Sequence, residues 1–291
     1  MSRISQRRSR KLTIGICCCS VIFSFVFAVR THDANPSTFA GSTALWKMHL
    51  DGDNSEPDYC TSKQPEAVTW VQKLYDDVRG KMGTTCINVV RIGGSGDGGR
   101  FMCLDGTSRK NCIVYSLGSR LDFSFEESLL EVLDCEVFTF DCTVGNPGHV
   151  SVNQKIKFFP WCVGGESGMK PISSDLGHGG EIQQYYTLDD IMHKLGHARV
   201  DLLKMDIERH EIDVFSSFST QNAPRQILFE THLHNAYGMW GRPMLPTEWE
   251  SMWRNLKRLG YKVFSHEPNP MCLCCSEWSA MNTRSAWRVF G

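Results

Sequence analysis

DLLKMDIE, residues 201–208, is an apolar run that closes on two carboxylates, Asp206 and Glu208. A second run of the same kind, EVFTFD at 136–141, closes on Asp141. Apolar runs of this length with charge or turn signals behind them read as strands buried on both faces. In open α/β sheets the ligand lies beyond the carboxyl ends of such strands. Acids delivered there by two strands point to a ligand and reaction site. Capping of the following helix is the plainer role for either acid alone.

The flanking sequence repeats this alternation. CIVYSLGS, from Cys112, predicts the first strand and its turn, and DFSFEESLLEVLDC a helix burying Phe125, Leu129 and Leu133. EVFTFD is the second strand and IKFFPWCV the third, followed by a Gly/Ser-rich loop over 164–180. Thr187 caps a helix carrying Leu188, Ile191, Met192 and Leu195, and DLLKMDIE is the fourth strand. A helix with Ile212, Phe215 and Phe218 leads to RQILFETH, the fifth strand, which ends at Glu230 and His232. A capping box at Thr247–Glu250 launches a helix that points Trp249, Met252, Trp253, Leu256 and Leu259 inward. YKVFSHEPN and the Cys-rich tail supply the last strands. The pattern predicts an α/β doubly wound, parallel-type sheet over residues 112–291.

Upstream, residues 62–111 read as a helix starting near Pro65, then a glycine-rich hairpin. Gly94, Gly96 and Gly99 match a dinucleotide fingerprint by letter, but a β-rich run follows where a helix is required. Residues 30–61 have the composition of a stem. Leu12–Val29 is an uninterrupted 18-residue stretch, about 27 Å as a helix, and predicts a membrane anchor rather than a cleaved signal. The six basic residues among the first thirty, mostly in the 1–11 tail, keep that end cytoplasmic and send the body into the lumen. The expected topology is single-pass type II, in the Golgi or endoplasmic reticulum. The rest of the chain carries −7, which argues against a nucleic-acid partner. Ten cysteines lie outside the anchor, an even number consistent with disulfides, and Cys103–Cys112 is the first expected pair.

In such a sheet the crevice opens at the top of the first strand, where Gly118 would let a cofactor approach the backbone. Asp141, 23 residues on, is placed to accept hydrogen bonds from a ribose diol. CIVYSLGSRLDFSFEESL, CEVFTFD, TLDDIM, VDLLKMDIERHEIDVF and QILFETHLH together resemble the methyltransferase-like proteins with a type 22 methyltransferase domain, relatives of the FkbM-type methyltransferases. That resemblance implies a class I methyltransferase sheet using S-adenosylmethionine. It makes Ser116, Gly118, Asp141 and Asp206 the cofactor-binding residues, with Gly118 at the cofactor's amino-acid end and Asp141 at its ribose, and has Asp206 and Glu208 face the reacting centre. Ser116 and Arg120 depart from the family pattern, which often has an acid and a second glycine there; Arg209 replaces a glycine.

Methyl transfer to a hydroxyl needs a base or a Lewis acid. Asp206, Glu208, Glu230 and His232 leave neighbouring strand ends, and the base is expected from Glu208 or His232. No metal is predicted, although Asp206, Glu230 and His232 form a chemically reasonable divalent-cation set. His210, His193 and His197 read as solvated helix residues. The expected acceptor is a hydroxyl on a glycan or other luminal molecule. A type II glycosyltransferase-like enzyme and an inactive luminal binding protein on the same sheet are the alternatives.

Overall fold

The computed structural model describes residues 75–76, 78, 86–96, 98–144, 154–172, 181–233, 246–269 and 275–284. The anchor expected at 12–29, the expected stem, Asp97 and most of the helix expected from Pro65 lie outside them. Among the described residues no helix is long and apolar enough to cross a membrane.

A short hairpin, β1 (Val89–Ile92) with β2 (Arg100–Cys103), precedes the main sheet. Its turn uses Gly93 and Gly98 at positive φ, so the glycines serve hairpin geometry as expected. The central strand β3 (Lys110–Leu117) is followed by helix α1 (Ser124–Val132), then β4 (Asp134–Phe140) and β5 (Ile156–Phe159). Helix α2 (Leu188–Leu195) leads to β9 (Leu202–Met205), α3 (Glu211–Ser216) and β10 (Gln226–His232). Helix α4 (Pro246–Leu259) and the pair β11 (Tyr261–Pro268) and β12 (Cys275–Asn282) complete the main sheet.

The seven strands lie in the order β11-β12-β10-β9-β3-β4-β5. From β3 the chain steps outward through β4 and β5, then returns to β9 on the opposite side of β3. The strand order therefore reverses between β3 and β9. Neighbours from β5 to β10 run parallel, while β12 is antiparallel to both β10 and β11. The expected parallel-type sheet is thus mixed: the short return from β11 leaves room for a hairpin but no crossover helix.

Side chains on β3 alternate between two cores. Tyr115 and Leu117 face the core shared with Leu203, Met205, Ile227, Phe229 and α2, while Cys112 and Val114 face Phe125 and Leu129 of α1. The helices bury the expected residues: Thr187 caps α2 by accepting from the Asp190 N–H, and Trp249, Met252, Leu256 and Leu259 of α4 are buried. Helix α4 begins at Pro246, so Thr247 lies inside its first turn rather than at the cap.

Two expectations change. IKFFPWCV is not one strand, because Pro160 interrupts it. β5 ends before the proline, and β6 (Cys162–Val163) joins a separate three-stranded sheet with β7 (Gly168–Pro171) and β8 (Ile182–Tyr186). Two of those strands lie within or just after the stretch read as loop. The disulfides also differ: Cys103 pairs with Cys86, Cys112 with Cys135, and Cys142 with Cys162. Cys112 and Cys135 sit opposite one another on β3 and β4, whereas Cys103 ends a strand of the other hairpin.

Non-reducing peptide mapping should recover these three linkages. Replacing Cys112 and Cys135 together by serine should cost about 2–4 kcal/mol in denaturant unfolding, as expected when a 23-residue loop is released.

Candidate active site

The ends of β3, β4 and β9 open onto one cleft of about 720 Å³, bounded on its far side by Trp161, Val163 and Tyr185 around the small sheet. Gly118, Asp141, Asp206 and Glu208 all line it. This is where the strand order reverses.

Gly118 has φ +76°, and a Cβ there would lie 1.7 Å from the Asp206 carbonyl oxygen. The glycine is therefore required first for the close approach of two strand ends, and only secondarily clears space for a ligand. Hydrogen bonds stitch the junction. The Gly118 N–H donates to Phe140 O at 3.0 Å, the Asp206 N–H to Leu117 O at 3.0 Å, and Lys204 Nζ to Gly118 O at 2.6 Å.

Asp141 already organises two loops. Its Oδ2 accepts from the Arg120 N–H at 2.8 Å, and its Oδ1 from the Thr143 N–H at 2.9 Å and Thr143 Oγ1 at 2.7 Å. A carboxylate accepts about four hydrogen bonds, so capacity for one more remains, not the two expected for a diol. Ser116 is fully buried and does not line the cleft. It lies on the α1 side of β3, because Leu117 and Tyr115 occupy the opposite face. The direct cofactor contact expected of Ser116 is therefore corrected.

Behind the cleft lies a residue that sequence reading passed over. The Arg100 guanidinium, fully buried, reaches Asp206 Oδ2 and Glu230 Oε2 at 3.1 Å each and Glu277 Oε1 at 2.7 Å. Its only sequence signal is the alternation of β2, which places Arg100 and Met102 on one inward face. Asn269 Nδ2 donates to the other oxygen of Glu230 at 2.8 Å. Burial raises the Glu230 pKa and Asp206 adds to that. At Asp206 burial works the other way from Lys204, Arg100 and His232, and these positive neighbours prevail and keep it ionised. Burial pushes Glu277 up to about 7 against the pull of Arg100.

His232 Nε2 lies 3.3 Å from Glu208 Oε2 and 3.9 Å from Asp206 Oδ1, and its Nδ1 lies 3.4 Å from Glu211 Oε1. Burial alone would lower its pKa, but Glu211, Asp206 and Glu230 together push it up to about 10. A charged imidazolium has no lone pair to take a proton, so His232 is excluded as the resting base. Neither His232 nor Glu230 reaches the cleft surface. Of the four expected catalytic residues, Asp206 and Glu208 face the ligand space and the other two support them.

Glu230, held by Arg100 and Asn269, also keeps a donor atom within 4.8 Å of His232 in a group with Cys275, but the expected set of Asp206, Glu230 and His232 does not converge as one group among the described residues. Asp206 and His232 instead converge with Glu208, the donor atoms of the three all lying within 4.8 Å of one another. Glu208 and Arg209 both have positive φ, 54° and 84°. Arg209 thus holds a backbone conformation suited to glycine, tied by an ion pair to Glu248 at 3.4 Å. His210 lines the cleft with its side chain partly exposed. His197 packs on Phe138, with Nδ1 2.7 Å from the Tyr115 hydroxyl, and is not a solvated helix residue.

A family model, Methyltransf_22, described as a methyltransferase domain, matches residues 32–282. Over 138 residues the chain is 27% identical to the human probable methyltransferase-like protein 24, covering 46% of this chain and 36% of that protein. The rat protein of the same name is 26% identical over 160 residues, covering 53% and 43% respectively. The matched stretches therefore span less than half the length of these relatives. Among solved structures, the complex between the Haloferax volcanii Trm112 methyltransferase activator and the putative methyltransferase matches with a TM-score of 0.37 at 8% identity, covering 61% of this chain and 85% of that one.

Arg100→Met should destabilise the fold by about 3–5 kcal/mol in urea titration, because three carboxylates lose their shared cation. Acidification should restore part of that loss by protonating Glu230 and Glu277. In the wild type, Glu277 rises from 4.5 to about 7 and His232 from 6.5 to about 10. Each binds its proton more tightly when folded, so its stabilisation is complete below the lower value and lost as pH climbs through the upper one. The calorimetric melting temperature should therefore fall between about pH 5 and 10, and His232→Gln should flatten the part above about pH 6.5.

Proposed function

The chain belongs to the Methyltransf_22 family of methyltransferase domains, and from that premise we propose an S-adenosylmethionine-dependent enzyme in which Glu208 takes the proton of an acceptor hydroxyl. One observation carries this reading. Gly118, Asp141, Asp206 and Glu208, spread over 90 residues of sequence, line a single cleft at the reversal of strand order. Its volume is in the range of small-molecule cofactor sites, and Asp141 retains acceptor capacity for a ribose hydroxyl.

When bound, S-adenosylmethionine supplies a methyl group on a sulfonium, open to in-line attack. The chain's own residues do the rest. Asp141 holds the ribose, and Asp206, kept ionised by Arg100 and Lys204, sets a fixed negative field at the strand end. Glu208 Oε receives the hydroxyl proton. Its side chain is 43% exposed and lines the cleft, with the imidazolium of His232 3.3 Å from its Oε2. Glu211 fixes His232 from behind and accepts the Ile207 N–H at 2.9 Å, so the base is oriented through two layers of contacts.

A luminal acceptor suits the rest of the chain. The anchor-length stretch at 12–29, the basic tail before it and the disulfides of the body support a single-pass type II protein of the Golgi or endoplasmic reticulum. In that compartment the acceptor is a hydroxyl on a glycan or similar molecule, and the acidic body disfavours nucleic acid. Protease treatment of sealed membranes should leave the body intact.

Glu208→Gln should lower transfer of labelled methyl groups to secretory glycoconjugates by about 100-fold or more. S-adenosylhomocysteine affinity should stay within about threefold, because no cofactor contact is removed. Undiminished transfer would remove Glu208 as the base. Asp141→Ala should weaken S-adenosylhomocysteine about tenfold by calorimetry, and an unchanged affinity would remove the ribose assignment.

A further inference from the structure

One acid in the cleft has no part in the chemistry above. Glu126, in the first turn of α1, is 1% exposed yet lines the cleft beside Gly118 and Lys204. Its Oε2 is buried without a hydrogen-bond partner. A buried, unsatisfied carboxylate oxygen is costly and calls for a ligand or a structural reason. Lys204, whose charge acts on Glu126, directs its ammonium to the Gly118 carbonyl at 2.6 Å.

We propose that Glu126 is the acceptor for the α-ammonium group of the cofactor's amino-acid end, an inference that rests on the S-adenosylmethionine reading above. The cofactor offers two cations. A sulfonium carries no N–H and gains only a charge contact, whereas an ammonium donates directed hydrogen bonds to a carboxylate oxygen. The sulfonium is also needed near Asp206 and Glu208, where the acceptor hydroxyl meets its base, and Glu126 enters the cleft from a different element. Lys204 carries the opposite sign in the same part of the cleft and complements a zwitterionic amino-acid group. Burial raises the Glu126 pKa against the opposing pull of the Lys204 charge. An ammonium beside it would favour the ionised carboxylate and lower that pKa again.

The test titrates the full-length chain with S-adenosylhomocysteine, which has the amino-acid end, and with 5′-methylthioadenosine, which lacks it. Glu126→Gln should weaken S-adenosylhomocysteine about 10- to 100-fold and leave 5′-methylthioadenosine within about threefold. An equal change for both ligands, or for neither, overturns the assignment. A wild type that binds neither compound instead overturns the cofactor reading beneath it. Should the variant not fold, the wild type serves alone, titrated in buffers of different ionisation enthalpy. S-adenosylhomocysteine should then release more protons than 5′-methylthioadenosine, and identical proton release would count against Glu126.

Discussion

A single buried guanidinium joins the parts of this protein that matter most. Arg100 comes from the hairpin that precedes the sheet, and its three carboxylate partners are Asp206, just past the end of β9, Glu230 on β10 and Glu277 on β12. The hairpin adds polar docking of its own: Gln226 exchanges hydrogen bonds with both backbone groups of Cys103, and Ser279 donates to Phe101 O. Taking a cation and several carboxylates out of water is expensive, and the planar fork of arginine is the donor geometry best able to offset it. The arrangement keeps Asp206 ionised at the strand end while Glu230 leans toward its neutral form. Electrostatics in the cleft is therefore set jointly by Lys204 in its wall and by Arg100, which never touches it.

The fold was largely legible because burial on both faces leaves a strong mark. Runs such as EVFTFD and RQILFETH could be little other than central strands, and the helices between them showed clean apolar faces at Leu129, Ile191 and Leu256. Legibility failed where local chemistry overrode composition. Pro160 cannot donate to a ladder, so it splits a continuous apolar run into strands of two sheets. Polar residues such as Gln183 and Gln184 hid β8, because a small sheet at a cleft rim has no deep core to fill. Disulfide partners depend on register between strands, and nothing in the spacing of Cys103 and Cys112 encodes that.

The site divided in the same way. Acids at strand ends were visible because the architecture assigns that position a meaning. Their supporting partners were not, since Arg100 lies more than 100 residues from the carboxylates it binds. His232 shows the limit well. Its identity suggests a base, but four surrounding acids fill its lone pair with a proton. The turn after β9 bears a different mark of function, two consecutive left-handed residues at Glu208 and Arg209. Such strain, about 1 kcal/mol or more per residue, persists where surrounding contacts over-determine it. Here the ion pairs to His232 and Glu248 hold the turn against relaxation.

The contact between Gly118 and the Asp206 carbonyl has a bearing on how this pocket could change over evolutionary time. Main-chain atoms, not replaceable side chains, determine how near the two central strands come at their tips. Mutation of the surrounding residues can therefore repaint that wall but cannot move it. Relatives that accommodate bulkier molecules would have to find room elsewhere, along α1 or around the small three-stranded sheet, and diversity should concentrate there.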